Sequence, residues 1–187
     1  GSGEIKVKTP TLPLTPLPGP TGGDGVAGVR YIWGAGALSS LKVATDTAVA
    51  VEEAGFEGQV LDTEDEVINH GSGGGSDIFL DEIPFPEDLE GDDLWTSDDY
   101  LQLAKGTIRI PTTGDYTFGY NTDDGAGLRI WGATFTEKGG GGQIDPIAPN
   151  SLVFKGTTGN TNTRGFIPNM QAGDYDLEFI WFERGGG

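Results

Sequence analysis

The stretch Gly114-Asp-Tyr-Thr-Phe-Gly-Tyr-Asn-Thr-Asp-Asp-Gly-Ala-Gly-Leu-Arg-Ile-Trp-Gly132 decides the fold. Tyr116, Phe118 and Tyr120 alternate with small or polar residues, which places three rings on one face of a strand. Leu128 and Ile130 alternate in the same way after the interruption. Between the two runs, residues 121–125 (Asn-Thr-Asp-Asp-Gly) read as the tip of a β-hairpin, because Asn, Asp and Gly supply turn conformations. A turn needs only one acidic residue. Asp123 and Asp124 repel each other, and the second adds nothing to the turn. The pair is therefore read in one of two ways, as a solvated acidic turn or as cation ligands. Ca2+ suits the second reading, since it takes about 6–8 oxygen ligands in flexible geometry.

Outward from this stretch, short alternating or apolar runs recur. Residues 25–33 read as a first strand through Val26, Val29, Tyr31 and Trp33, and residues 100–110 as another through Leu101, Leu103, Thr107, Ile108 and Ile110. Residues 152–154 form a short strand. In residues 173–182, Tyr175, Leu177, Phe179 and Trp181 share one face, with Ile180 and Phe182 on the other. Residues 39–51 carry Leu38, Leu41, Ala44, Ala48 and Val51 at helical spacing, yet Thr45, Thr47 and Val49 suit a strand, so both readings stand. The acidic segment 52–68 reads as irregular, 139–142 as a glycine loop and 156–164 as a polar turn. Many short strands with Gly, Pro and Asn between them make an all-β chain, a β-sandwich of antiparallel strands with short helical or loop insertions. Most of the four Trp residues are expected in its core, Trp131 included, although Trp131 lies close enough to the acidic turn to be weighed as a sugar platform.

The chain divides into residues 1–3, which resemble a cloning scar, a proline-rich linker or tail over 4–24, and a domain over 25–187. Five of the twelve residues 9–20 are proline, which cannot donate to a ladder, so this segment reads as an extended spacer joining neighbouring domains of a longer chain. A formal net charge of −18, from 11 basic and 29 acidic residues, disfavours nucleic acid and anionic membrane surfaces as partners. There is no cysteine to form a disulfide, and no apolar run approaches the ~18 residues of a membrane span. The single histidine, His70, precedes a Gly/Ser loop and reads as solvated. Two further acidic pairs, Asp92-Asp93 and Asp98-Asp99, lack a following glycine and read as solvated or helix-capping. Asn160 and Asn162 fit a plain loop, with metal or sugar ligation as the other possibility.

The central stretch resembles the protective-antigen-type PA-fourteen domain family, whose pattern is Gly-x-Tyr-x-Phe, then Asp-Asp-Gly, then an apolar strand closed by glycine. Here those are residues 114–118, 123–125 and 128–132. Residues 171–187 (Gln-Ala-Gly-Asp-Tyr-Asp-Leu-Glu-Phe-Ile-Trp-Phe-Glu-Arg-Gly-Gly-Gly) resemble its penultimate strand and glycine-rich loop. The likeness spans roughly residues 26–187, with its distinctive motifs in 106–132 and 171–187. It implies a module of a secreted or cell-surface adhesin, or one attached to a glycosidase, that holds sugar hydroxyls on a Ca2+. In the family the Asp-Asp peptide is cis and loop carbonyls complete the shell. The metal set implied here is Asp123, Asp124, Glu183, Gly185 and Gly186, with Asp123, Asp124 and Gly187 at the carbohydrate. Glu183 stands where the family often carries Asn or Gln. The resemblance also implies one more strand after this loop, supplied either from beyond residue 187 or by the N-terminal strand. Some members bind no sugar, so a structural or spacer module is the alternative.

An enzyme is the competing class. Acidic residues abound, as glycosidases require, but no nucleophile motif is present and the one His lies beside a glycine loop. The expectation is a non-enzymatic, extracellular binding module whose partners are cell-surface glycans or polysaccharides.

Overall fold

Period-two alternation of apolar side chains builds strands whose two faces have different partners, and this chain uses both faces. The computed structural model describes residues 8–23, 25–70, 83–86 and 98–185. In order, the elements are β1 (Ala27–Trp33), α1 (Leu41–Ala50), β2 (Gln59–Asp65), β3 (Tyr100–Ile110), β4 (Gly114–Thr122), β5 (Ala126–Ile130), β6 (Glu137–Gly140), β7 (Gln143–Ile144), β8 (Ser151–Phe154), β9 (Thr161–Met170) and β10 (Gly173–Glu183). Among the described residues they form a seven-stranded sheet, β2-β1-β3-β10-β5-β8-β7, and a three-stranded sheet, β4-β9-β6. Every strand pairing in the two sheets is antiparallel. Among the described residues the chain is all-β, as expected, with one short helix.

The first core lies between the sheets. Val29, Tyr31, Tyr100, Leu128 and Trp181 of the large sheet join Tyr120, Ile167 and Met170 of the small one, with Tyr116, Phe118 and Phe179 packed against them. The second core covers the outer face of the large sheet, where Ile32, Leu101, Leu103, Ile180 and Phe182 meet Leu41, Ala44 and Ala48 of α1. The two readings of residues 39–51 resolve as helix. Ser40 caps it, accepting from Val43 N at 3.3 Å, and the buried residues recur at i, i+3 and i+7.

Several expectations are corrected. The 114–132 stretch is not a hairpin: β4 pairs with β9, while β5 pairs with β10 and β8. Residues 123–125 therefore carry the chain from one sheet to the other. The physical reason is that two facing sheets bury the rings of β4 and the apolar side chains of β5 against each other, which a flat two-stranded ribbon cannot do. Within the acidic segment 52–68 lies β2, paired along its length with β1, and the glycine-rich 139–142 begins inside β6. Trp131 is half-buried outside the core, its ring under the Arg129 guanidinium at 4.8 Å. His70 is not solvated. Its side chain is 4 % exposed, within hydrogen-bonding distance of Tyr31 Oη and Gln102 Nε2 and packed on Phe85, and burial lowers its pKa to about 4. Asp92-Asp93, Trp95 and residues 1–7 lie outside the described residues.

The proline-rich segment is not a free spacer either. Leu12 and Leu17 are fully buried in the second core. The amide of Thr11 donates to Asp145 Oδ2, that of Leu17 to Glu178 Oε2 at 2.7 Å, and Arg129 Nη1 donates to Pro13 O. Proline removes backbone donors that would otherwise need partners, so this strap lies across the sheet with few groups to satisfy.

Candidate functional site

The site sits at one edge of the large sheet, where β5 begins and β10 ends. Ala126 faces Trp181 in the register of that pair, and two places further out Asp124 comes opposite Glu183. The link between the sheets adds Asp123. One carboxylate oxygen from each of Asp123, Asp124 and Glu183 lies within 4.8 Å of the others.

The Asp123–Asp124 peptide is trans, against the cis bond that the resemblance implied. The carboxylates converge by a different route: Asp124 adopts the left-handed conformation, φ 54°, which Asp tolerates better than most residues. That turn aims the Asp124 side chain inward. It is 4 % exposed, with Oδ1 accepting from Thr158 N at 2.9 Å and Oδ2 from Arg184 N at 2.7 Å. Asp124 thereby ties the β8–β9 loop to the end of β10. Its own N–H donates to Asp123 Oδ1 at 2.8 Å and to Thr158 O at 3.0 Å. Trp181 Nε1 donates to Asp123 O, so the indole sits directly beneath the pair.

Gly125 is required by close approach rather than by its dihedral angles. A Cβ there would lie 2.5 Å from the Phe182 ring and 2.6 Å from Gly156 O. The Gly125 carbonyl accepts from Phe182 N at 3.1 Å, which locks the acidic turn to β10.

The electrostatics are those of uncompensated negative charge. Burial pushes the Glu183 carboxyl up to about 7, and the charges of Asp124, Asp123 and Asp98 push the same way; the Gly185 N–H, donating to Oε1 at 2.7 Å, opposes them. Asp123 is also raised, chiefly by burial. Among the described residues Glu183 has no cation against it, and its Oε2 accepts no hydrogen bond. This donor set of three hard carboxylates fits a hard divalent cation such as Ca2+.

Of the residues singled out in the sequence, Asp123, Asp124 and Glu183 come together, and Gly185 lies within reach of them, two residues past Glu183. Gly186 and Gly187 lie outside the described residues. Asn162 is not in the cluster: its Oδ1 accepts from Asn121 Nδ2 on the outer surface of the small sheet. The residue missed was Asp98, read as solvated or helix-capping, whose carboxylate packs against Gly185. Only the pairing of β3 with β10 could have revealed it.

No curated protein and no solved structure matches this chain. The family model described as PA14 domain matches residues 93–187, just over half of the 187 residues, including the whole acidic cluster. The chain belongs to the PA14 domain family.

Proposed function

We propose that this is a Ca2+-dependent carbohydrate-binding module of a secreted or cell-surface protein, working as a binding domain rather than as an enzyme. PA14 domains commonly bind carbohydrates and occur in adhesins and glycosidases. The observation that carries the reading is the convergence of Asp123, Asp124 and Glu183 on one point, with burial and like charge working against Glu183. Three carboxylates meeting at one point form a ligand set, whereas glycoside hydrolysis uses a pair facing across the scissile bond. Asp123, Asp124 and Glu183 would hold Ca2+, whose positive charge offsets theirs and whose remaining coordination positions suit sugar hydroxyls. Asp124, fixed by two backbone donors, positions the set. In the same reading the carbonyls of Gly185 and Gly186 would complete the metal shell, and Asp123, Asp124 and Gly187 would meet the carbohydrate.

A glycan array with and without chelator tests it. The expected result is binding in Ca2+, loss in chelator and loss in Asp124→Asn, while Asp46→Asn on the exposed face of α1 binds normally. Glycan binding that survives chelator overturns the Ca2+-dependent reading. One observation favours a second reading, a structural module. Both Asp124 carboxylate oxygens already hold backbone amides, so the residue staples two loops without any ion. A Ca2+-raised melting temperature with no glycan bound would select this alternative.

A further inference from the structure

We propose that the outer face of the large sheet is a peptide-binding surface for an extended leucine–proline segment, and that the strap of a second copy of this chain exchanges there with the chain's own. A row of side chains crosses this face. Lys105, Glu178, Arg129 and Ser151 face one another across β3, β10, β5 and β8, and Asp145 N donates to Ser151 O just beyond. The row reads the backbone of residues 9–20. Lys105 Nζ donates to Leu17 O at 2.8 Å, and Glu178 Oε2 accepts the Leu17 amide at 2.7 Å. Arg129 Nη1 donates to Pro13 O, and Asp145 Oδ2 accepts the Thr11 amide. Two sockets read side chains: Leu12 and Leu17 are buried, whereas Leu14 between them is exposed. The Leu12 socket exists because residue 127 is glycine, where a Cβ would lie 3.0 Å from Leu12 Cδ2. Each buried leucine is followed by proline, so the strap repeats the unit that a socket holds.

The make-up of this contact suits a surface that opens better than a permanent core. Burying a charge is costly even when it is paired, so permanent cores are apolar. Here Arg129 and Glu178 lie 1 % exposed under the strap. Among the described residues, Arg129 Nη2 and Glu178 Oε1 are buried without a hydrogen-bond partner. Water reaches these groups once the strap lifts, which stabilises the open state, and such polarity is typical of interfaces that form and separate. Proline keeps the departing segment extended, so little entropy is lost when it binds again. The link back to β1 permits departure. Gly22 N donates to Lys105 O and Val26 N to Gly23 O, but Gly23 and Gly25 are exposed, and a Cβ at either would meet nothing within 4 Å. None of the strap's contacts depends on which chain carries it, so a second copy offers the same atoms in the same order.

Two experiments on the full chain test this. In the first, a protease site inserted after Gly23 is cut, which frees the strap from the chain while leaving its contacts in place. A fluorescein-labelled peptide of residues 9–20 is then added, and anisotropy and the mass of the released fragment are read. The peptide is expected to replace the strap. A peptide with Leu14→Ala should replace it equally well, and one with Leu17→Ala at least about tenfold more weakly. The uncut chain should take up far less, because its tethered strap competes at a roughly millimolar effective concentration. In the second, the wild type, which needs no insertion, is followed by light scattering. A dimer fraction should grow with concentration and dissolve in excess peptide. A strap that stays on the cut chain against excess peptide overturns the proposal, as does loss of the near-UV circular dichroism when the strap leaves, since the strap is then permanent core. A wild type that is monomeric at every concentration overturns exchange between copies.

Discussion

Glu178 and Glu183 lie five residues apart on the same strand, both are almost fully buried, and burial raises the pKa of both. Their surroundings differ in sign. Glu178 faces Lys105 on one side and Arg129 on the other, with Arg129 Nη1 at 3.8 Å, and it accepts the Leu17 amide of the strap. Glu183 has Asp98, Asp123 and Asp124 around it. A buried carboxylate with cations beside it is part of the fold's own charge balance. One ringed by like charge gains most from an ion that the chain does not supply. Burial or a raised pKa taken alone would rank the two residues together; the sign of the neighbours separates them.

The largest effect expected from breaking this contrast is on the compensated side. Glu178→Ala leaves the Arg129 guanidinium, 1 % exposed, without its carboxylate, and the Leu17 amide without an acceptor. Removing one member of a buried pair costs about 3–5 kcal/mol, so urea unfolding should show a loss of up to about 5 kcal/mol that added Ca2+ does not restore. Restoration by Ca2+ would show that the two carboxylates share one role.

On the uncompensated side, Ca2+ should stabilise the wild type by about 4 kcal/mol when present at a thousandfold its dissociation constant. A calorimetric melt in Ca2+ against chelator measures it. An unchanged melt would turn Glu183 into a second structural carboxylate, and the contrast would disappear.

The strap belongs to the compensated side, and Leu17→Ala should destabilise by about 3 kcal/mol, as large-to-small changes in a packed core do. Leu14→Ala, at a position 63 % exposed, should change stability little. Equal losses from both would mean that the strap holds through its backbone alone.

The smallest expected effect is a pH slope. Glu183 ionises near its ordinary 4.5 in the unfolded chain and near 7 in the folded one, so between these values the folded state binds more protons. Without Ca2+, its contribution to stability is full below about 4.5 and is lost as pH rises through about 7. His70 acts oppositely: its folded pKa of about 4 lies below 6.5, so its contribution is present above 6.5 and lost as pH falls through 4. Comparing Glu183→Gln with wild type isolates the first effect, because His70 is common to both. In chelator, the wild type should lose melting temperature relative to the variant between pH 4.5 and 7.5. Parallel curves would mean that neither burial nor the like charges around Glu183 raise its proton affinity in the folded chain.

Much of this molecule was legible because alternation is a local property. Tyr116, Phe118 and Tyr120 announced β4, and the two faces of β10 could be assigned from its own residues, with Trp181 inward and Phe182 outward. β2 was missed because its acidic residues hide the pattern: no residue of this edge strand is fully buried, and Gln59, Asp62 and Glu64 are exposed. The strap was misread because proline content describes what a segment cannot pair with, and says nothing about where two leucines will bury. The single histidine was misread from the loop beside it, when its surroundings come from β1, β3 and Phe85, up to 39 residues away.

Local patterns were enough for the strand-rich architecture and the acidic turn at Asp123 and Asp124, since period-two burial and turn chemistry are written in neighbouring residues; Glu183 entered only through the likeness to the PA14 family. Tertiary structure alone decided which strands pair. It separated β4 from β5 into different sheets, turned the expected hairpin tip into a passage between layers, and set β10 between β3 and β5. Pairing over long sequence distances depends on which faces can be buried together, and no local pattern encodes that. The register that followed placed Asp124 opposite Glu183 and Asp98 opposite Gly185, so that residues up to 87 positions apart meet at one edge of one sheet.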